Sequence, residues 1–186
     1  MNLAQAMDQR RSIRKFKSKI VKLSHVIEVI DSALKTPLAG NISTLKFIVV
    51  TDQNMKNNIA EYSDQRWIAD ADTIIVLCSD ETRLKTAYKE HASIYAKHQA
   101  GAAVQNMLLR ITSLGLGACW VGSYLEHEIK NILDVPEHVN IEAIIPLGYP
   151  NEKPKQKHKE SLENNIFWDK WNIKKKPTLI KDPKTW

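Results

Sequence analysis

Apolar positions along this chain repeat with two periods, and the change of period marks out its elements. In residues 92–114 the spacing is helical: Val104, Met107, Leu108 and Ile111 fall at i, i+3, i+4 and i+7, on one face of a helix. Ala100, Gly101, Ala102 and Ala103 keep the preceding turn thin, so another element can approach it closely. Gly115 stands where a helix end commonly takes a left-handed residue, and Gly117 reads as the turn into a strand over residues 118–121. A helix so long, thin on one side and apolar on another, suits the spine of a domain or a dimer.

Residues 3–10 read as a short first helix with Leu3, Ala6 and Met7 on one side, and Ser24 as the cap of a helix running to Lys35. Val26, Ile27, Ile30, Ala33 and Leu34 carry the helical period there. Pro37-Leu38-Ala39-Gly40-Asn41 ends that helix, because proline cannot continue it and Gly40 and Asn41 tolerate positive φ. Residues 46–51 predict a strand, 54–62 a short helix and 72–79 (DTIIVLCS) a buried central strand. Residues 84–91 read as a connection, 127–133 as a short helix, and 142–147 (EAIIPL) as the last strong strand.

At 186 residues the chain is long enough to fold as one domain without disulfides or metals. Cys78 and Cys119 each lie inside an apolar run, as reduced and packed cysteines do, and residues 1–10 are polar and amphipathic rather than a secretory leader. No apolar run approaches the ~18 residues that span a bilayer. The expectation is a cytoplasmic protein that does not enter membranes.

The net charge of +6 gathers at the two ends. Residues 151–186 hold ten lysines against five acidic residues, and Arg10, Arg11, Arg14, Lys15, Lys17, Lys19 and Lys22 form a second cluster. Two basic ends suit either a nucleic-acid surface or convergence on one small anion. No zinc-finger spacing or RNA-binding aromatic motif supports the first, and Trp168, Trp171 and Trp186 lie in the C-terminal stretch, where docking is the simpler role. In RRSIRKF, residues 10–16, three arginines and a serine could surround an anion while Ile13 and Phe16 anchor the backbone. The six histidines show no zinc-ligand spacing, no nucleophile elbow is present, and the GLG at Gly115 lacks a third glycine and follows a helix, so no dinucleotide fingerprint exists.

Taken together, RRSIRKF, the TPLAGN loop at residues 36–41, GAAVQNMLLRITSLGLGACWVG and IPLGYP resemble, in this order and spacing, the nitroreductase family of FMN-dependent oxidoreductases. The resemblance implies an α+β fold, a mixed and mainly antiparallel sheet flanked by helices, in an obligate homodimer. It implies a core over residues 1–150 and a basic extension, 151–186, that completes the phosphate site and the dimer. Arg10, Arg11 and Ser12 would hold the FMN phosphate and ribityl chain, Arg14 the pyrimidine edge, and Lys157 and Lys159 the phosphate again. Trp120, Val121, Gly122 and Ser123 would line one face of the ring. Pro37, Leu38, Ala39 and Asn41 would come from the other subunit, and Asp64, Gln65 and Trp67 occupy the segment where a polar contact to the ring is usual. No catalytic side chain and no metal is implied. The implied reaction passes hydride from NAD(P)H through FMN to nitroaromatic, quinone or related acceptors by a ping-pong mechanism. The implied alternative is a flavin-binding member with another reaction, such as reductive dehalogenation or flavin breakdown, or with little reductase turnover.

Three positions depart from the family pattern. Leu38 and Ala39 replace loop serines, Ser43-Thr44-Leu45 replaces Gln-Pro-Trp, and Lys159 stands where arginine is common. A lysine there makes a point contact rather than a fork, and the other two changes bear on substrate choice.

Overall fold

A computed structural model describes residues 1–156 and 158–175. The chain forms two compact units, Met1–Pro154 and Lys155–Trp186. Lys157 and Trp186, both named above, lie outside the described residues.

In the first unit, four strands pair in the order β1-β2-β4-β3, with every neighbouring pair antiparallel: β1 (Leu45–Val50), β2 (Thr73–Asp80), β3 (Gly117–Ala118) and β4 (Val139–Gly148). Among the described residues the one parallel pairing is an isolated bridge from Ser12 to Ala118, so "mainly antiparallel" describes the sheet well. β2 is buried from Thr73 to Ser79, as its unbroken apolar run requires of a strand covered on both faces. On one face Ile75, Leu77, Ala143, Ile145 and Leu147 pack with the long helix, and on the other Ile74, Val76, Cys78, Ile141 and Ile144 join a second cluster.

The long helix α5 spans Ala92–Ser113, and its Ala100, Ala103, Val104, Met107, Leu108 and Ile111 are buried against that first face. Gly115 follows it at φ 74, the left-handed position read from the sequence. Gly117 has a different reason. A Cβ there would stand 2.8 Å from the Ile13 side chain, so glycine permits the basic motif to lie against the sheet rather than merely turning the chain. The strand expected over residues 118–121 is reduced to Gly117–Ala118 plus a bridge from Val121 to Ile144.

Two helical segments differ from the sequence expectation. α2 (Leu23–Leu34) starts at a Lys22 cap with no side-chain bond, not at Ser24. The amide of Val21 is already held by Asp72 Oδ2 at 3.0 Å, which fixes the extended chain just before the first turn. α2 buries Val26, Val29 and Ala33, while Leu23, Ile27 and Leu34 are exposed. In α1 (Leu3–Gln9) only Ala6 is buried. The expected connection after β2 contains a helix, α4 (Thr82–Tyr88), anchored where the buried carboxylate of Glu81 accepts from Ser93 Oγ (2.7 Å) and Asn140 Nδ2 (3.1 Å) and pairs with Lys85 (3.1 Å). Two further helices, α3 (Gln53–Tyr62) and α6 (Glu126–Ile132), cover the other sheet face. No helix among the described residues is long and apolar enough to cross a membrane.

Among its described residues the second unit holds one short helix, α7 (Leu162–Asn165). Lys174 donates to the carbonyls of Glu163 and Asn164 and sits 4.1 Å from the Phe167 ring centre, and Phe167 packs on Trp171. Trp168 is half-buried, while Trp171 is exposed.

Candidate functional site

RRSIRKF crosses the β3 end of the sheet as an extended segment. Ile13 N donates to Ala118 O (2.9 Å), Lys17 N to Tyr149 O (2.8 Å) and Asn151 N to Lys15 O (2.8 Å), while Phe16 bridges to Pro150. These pairings bury Ile13 and Phe16 and leave Arg14 and Lys15 exposed between them. Glu152 fixes the exposed stretch, its Oε1 accepting from the amides of Arg14 (2.5 Å) and Lys15 (3.1 Å). Nothing in the sequence marks Glu152; it stands two residues past IPLGYP and is found only once the two segments pair.

Arg10, Ser12 and Arg14 gather around Cys119. Burial pushes the Cys119 thiol above its ordinary pKa, and Arg14, the Ser12 hydroxyl and Arg10 pull the other way. Cys119 leads directly into Trp120, Val121, Gly122 and Ser123, so the basic motif and this strip form one continuous rim. The half-buried Arg10 guanidinium has no acceptor among the described residues. Arg11 turns aside, donating to the carbonyls of Asp8 and Arg10 at 2.7 Å each. Arg14 lies 5.8 Å from the centre of Trp67, which brings the segment before β2 to the same rim. Gln65 donates weakly to Ser63 O at 3.4 Å.

The strip 120–123 is held from beneath. Val121 is buried and exchanges both backbone bonds with Ile144, whereas Trp120 is 45% exposed and Gly122 and Ser123 are exposed. The amides of Gly122 and Ser123 have no acceptor among the described residues, and a Cβ on Gly122 would meet nothing within 4 Å.

Pro37, Leu38, Ala39 and Asn41 belong to another neighbourhood. Ala39–Asn41 forms a tight turn with Gly40 and Asn41 both at φ 56. Leu38 packs on the main core, and Ala39 packs with Leu84, Ala92, Ala96, Tyr88 and Tyr95. Pro37 and Asn41 are exposed. Lys159 lies in the second unit. No group of three or more His, Cys, Asp or Glu among the described residues is arranged to hold a metal.

A phosphorylated planar ligand fits these residues. Among the described residues, a guanidinium without an acceptor beside a serine hydroxyl suits a phosphate at one end, while an open face over Gly122, two amides without acceptors and an exposed indole suit a flat heteroaromatic ring. Sheet order and spine helix define an α+β fold, and the rim gives it a surface suited to such a ligand. The chain matches the nitroreductase family model over residues 7–69 and 59–149 and belongs to that family. It is 35% identical over 161 residues to a protein of Methanothermobacter thermautotrophicus assigned as an NADH dehydrogenase/NAD(P)H nitroreductase, covering 83% of this chain and 80% of the relative. An iodotyrosine deiodinase of Thermotoga neapolitana is 25% identical, over 83% of this chain and 92% of its own. Among solved structures, a Parabacteroides distasonis protein of the same NADH dehydrogenase/NAD(P)H nitroreductase assignment superposes with a TM-score of 0.79 at 26% identity, covering 92% of this chain and 100% of that one.

Proposed function

We propose that this protein is an FMN-dependent NAD(P)H oxidoreductase that reduces nitroaromatic, quinone or related acceptors as a homodimer. The observation that carries the reading is the rim itself: the Arg10 guanidinium at one end and the Gly122 and Ser123 amides at the other are without acceptors among the described residues, on a strip pinned by the Val121–Ile144 backbone pair. Arg10 would bind the phosphate with Ser12. Arg11, on the same segment, would add its positive charge to that end of the rim. Arg14, 5.8 Å from the centre of the Trp67 ring, would hold the pyrimidine edge, with Gln65 from the same segment as Trp67. Gly122 and Ser123 would donate backbone hydrogen bonds to the ring's polar edge, and Trp120 and Val121 would cover one face. FMN, when bound, supplies the two-electron chemistry. The chain's own task is to bind, orient and cover, and no side chain is assigned as acid or base.

With one face covered by the strip, donor and acceptor must use the other in turn, which predicts ping-pong kinetics. Pro37, Leu38, Ala39 and Asn41 of a second copy would wall that open face, with Leu38 and Ala39 offering backbone and apolar contact in place of serine hydroxyls. That substitution, together with the deiodinase relative, keeps reductive dehalogenation as the second reading. Initial rates over a grid of reduced nicotinamide and menadione concentrations test the first. Parallel double-reciprocal lines are expected, and converging lines would reject the shared face. Failure of NADH and NADPH alike to bleach bound flavin would move the assignment to the second reading.

A further inference from the structure

The strip over which the flavin is proposed to lie is held by residues that no cofactor contact explains. Val121 N donates to Ile144 O at 2.9 Å and Ile144 N to Val121 O at 3.1 Å, pinning one end. Leu125 N donates to Tyr62 O at 2.8 Å, pinning the other. Between these pins the phenol of the half-buried Tyr124 donates to Ile141 O at 2.6 Å, and just beyond them Glu126 Oε1 accepts from Ile141 N at 3.0 Å. One residue, Ile141, therefore receives both side chains, one on its carbonyl and one on its amide.

The sheet makes Ile141 available for this. Leu77 pairs with Ala143 and Cys78 with Ile141, so Glu142 is an extra residue and β4 bulges at that point. A bulge breaks the regular ladder and re-aims the groups beside it. Glu126 is in turn fixed by Lys130, 3.3 Å away, whose buried ammonium also donates to Glu137 O at 3.1 Å. The clamp is thus an arm of α6 reaching the bulge, and the strip it steadies presents the amides of Gly122 and Ser123, which have no acceptor among the described residues.

We propose that Tyr124 and Glu126 are positioning residues for the reduction, acting through the backbone of Ile141 to hold the Gly122 and Ser123 amides in the orientation the flavin ring requires. This rests on the flavin reading above. Neither side chain touches the cofactor in this scheme. Removing either should leave phosphate anchoring intact, because Arg10 and Ser12 lie on a separate segment, yet it should loosen the donors along the ring's edge.

The test compares Tyr124→Phe, Glu126→Ala and Glu126→Gln as holoenzymes. Glutamine keeps an oxygen acceptor for Ile141 N and serves as the conservative rescue. For Tyr124→Phe and Glu126→Ala, FMN affinity by flavin fluorescence should stay within about threefold of wild type. The midpoint potential of the bound flavin should shift, and anaerobic bleaching by NADPH should slow about tenfold, the scale of one hydrogen bond. kcat should fall and the KM for menadione with it, because in a ping-pong cycle slower flavin reduction leaves kcat/KM for menadione unchanged, and Glu126→Gln should track wild type in every measurement. Unchanged potential and bleaching rate in folded Tyr124→Phe and Glu126→Ala would overturn the proposal, as would a Glu126→Gln variant that behaves like Glu126→Ala. If Tyr124→Phe does not fold, the two Glu126 variants decide alone. A wild-type protein that fails to bind FMN would instead remove the reading on which the proposal stands, and the two failures are told apart in the first titration.

Discussion

Two regions assigned to the same cofactor are built in opposite ways. The rim of residues 10–14 and 119–123 is paired on its inner side and leaves a guanidinium and two amides without acceptors among the described residues. The turn at residues 37–41 carries no charge, packs Leu38 and Ala39 into apolar clusters, and holds two successive left-handed residues. A region that awaits a ligand keeps polar groups uncommitted and open to solvent, because burying them unpaired would be costly. A region that serves as a wall needs only shape. In the proposed dimer the two come from different subunits, the rim to recognise the ligand and the turn to enclose it.

The largest effect should come from removing the rim's recognition. Arg10→Ala is expected to weaken FMN binding by roughly 2–4 kcal/mol, as for loss of a charge-assisted contact to a desolvated anion. Riboflavin, lacking the phosphate, should bind the variant and wild type alike in the same fluorescence titration. Equal losses for both ligands would show that Arg10 acts through folding and that the rim is no recognition surface.

Next comes the rim's seating. Gly117→Ala places a methyl 2.8 Å from Ile13, so the motif must shift or Ile13 must repack. Overpacking of this kind costs about 1–3 kcal/mol, measurable by urea denaturation, and should be accompanied by weaker FMN binding because Ser12 and Arg14 ride on the same segment. Lost stability with unaltered FMN affinity would separate the motif's packing from its ligand.

A smaller, pH-dependent effect lies behind the turn, at Glu81. Burial pushes this carboxyl up, but the Ser93 hydroxyl, Lys85 and the Asn140 amide together bring it below its ordinary pKa. A lowered folded pKa means that the stabilisation is complete above the unfolded value of about 4.3 and fades as acid titrates the folded group. Glu81→Gln should therefore be less stable than wild type at pH 7, by about 1–2 kcal/mol for weakened charged hydrogen bonds. The gap should narrow in thermal melts taken below about pH 4. A gap independent of pH would assign the effect to packing instead.

Much of this organisation is legible in the sequence, for reasons particular to each segment. The run DTIIVLCS reads as a strand covered on both faces, and the period of Val104 to Ile111 as one helix face, because burial imposes those repeats. Gly40, Asn41 and Gly115 are readable because left-handed backbone selects few residue types. What stays hidden depends on pairing across the chain. Lys22 replaces Ser24 as the start of α2 because Asp72, far along the sequence, holds the Val21 amide. α4 escapes sequence reading because its anchor, Glu81, is completed by Asn140 and Ser93 from other elements. Ile27 and Leu34 keep the helical period yet lie exposed, since periodicity shows that a face is apolar and not what covers it. In the site, residue types are readable but their commitments are not: only the fold shows Arg11 turned onto backbone carbonyls, Glu152 holding the motif, and the backbone of Ile141 taken by Tyr124 and Glu126.

In the proposed enzyme, recognition and enclosure meet between two copies of the chain. Sedimentation velocity with absorbance read at the flavin wavelength measures this directly, by following protein and FMN in one boundary across a dilution series. A single dimeric boundary carrying one FMN per protomer is expected, as an obligate interface burying more than about 2,000 Å² would maintain. A monodisperse monomer that still sediments with tightly bound FMN would contradict it.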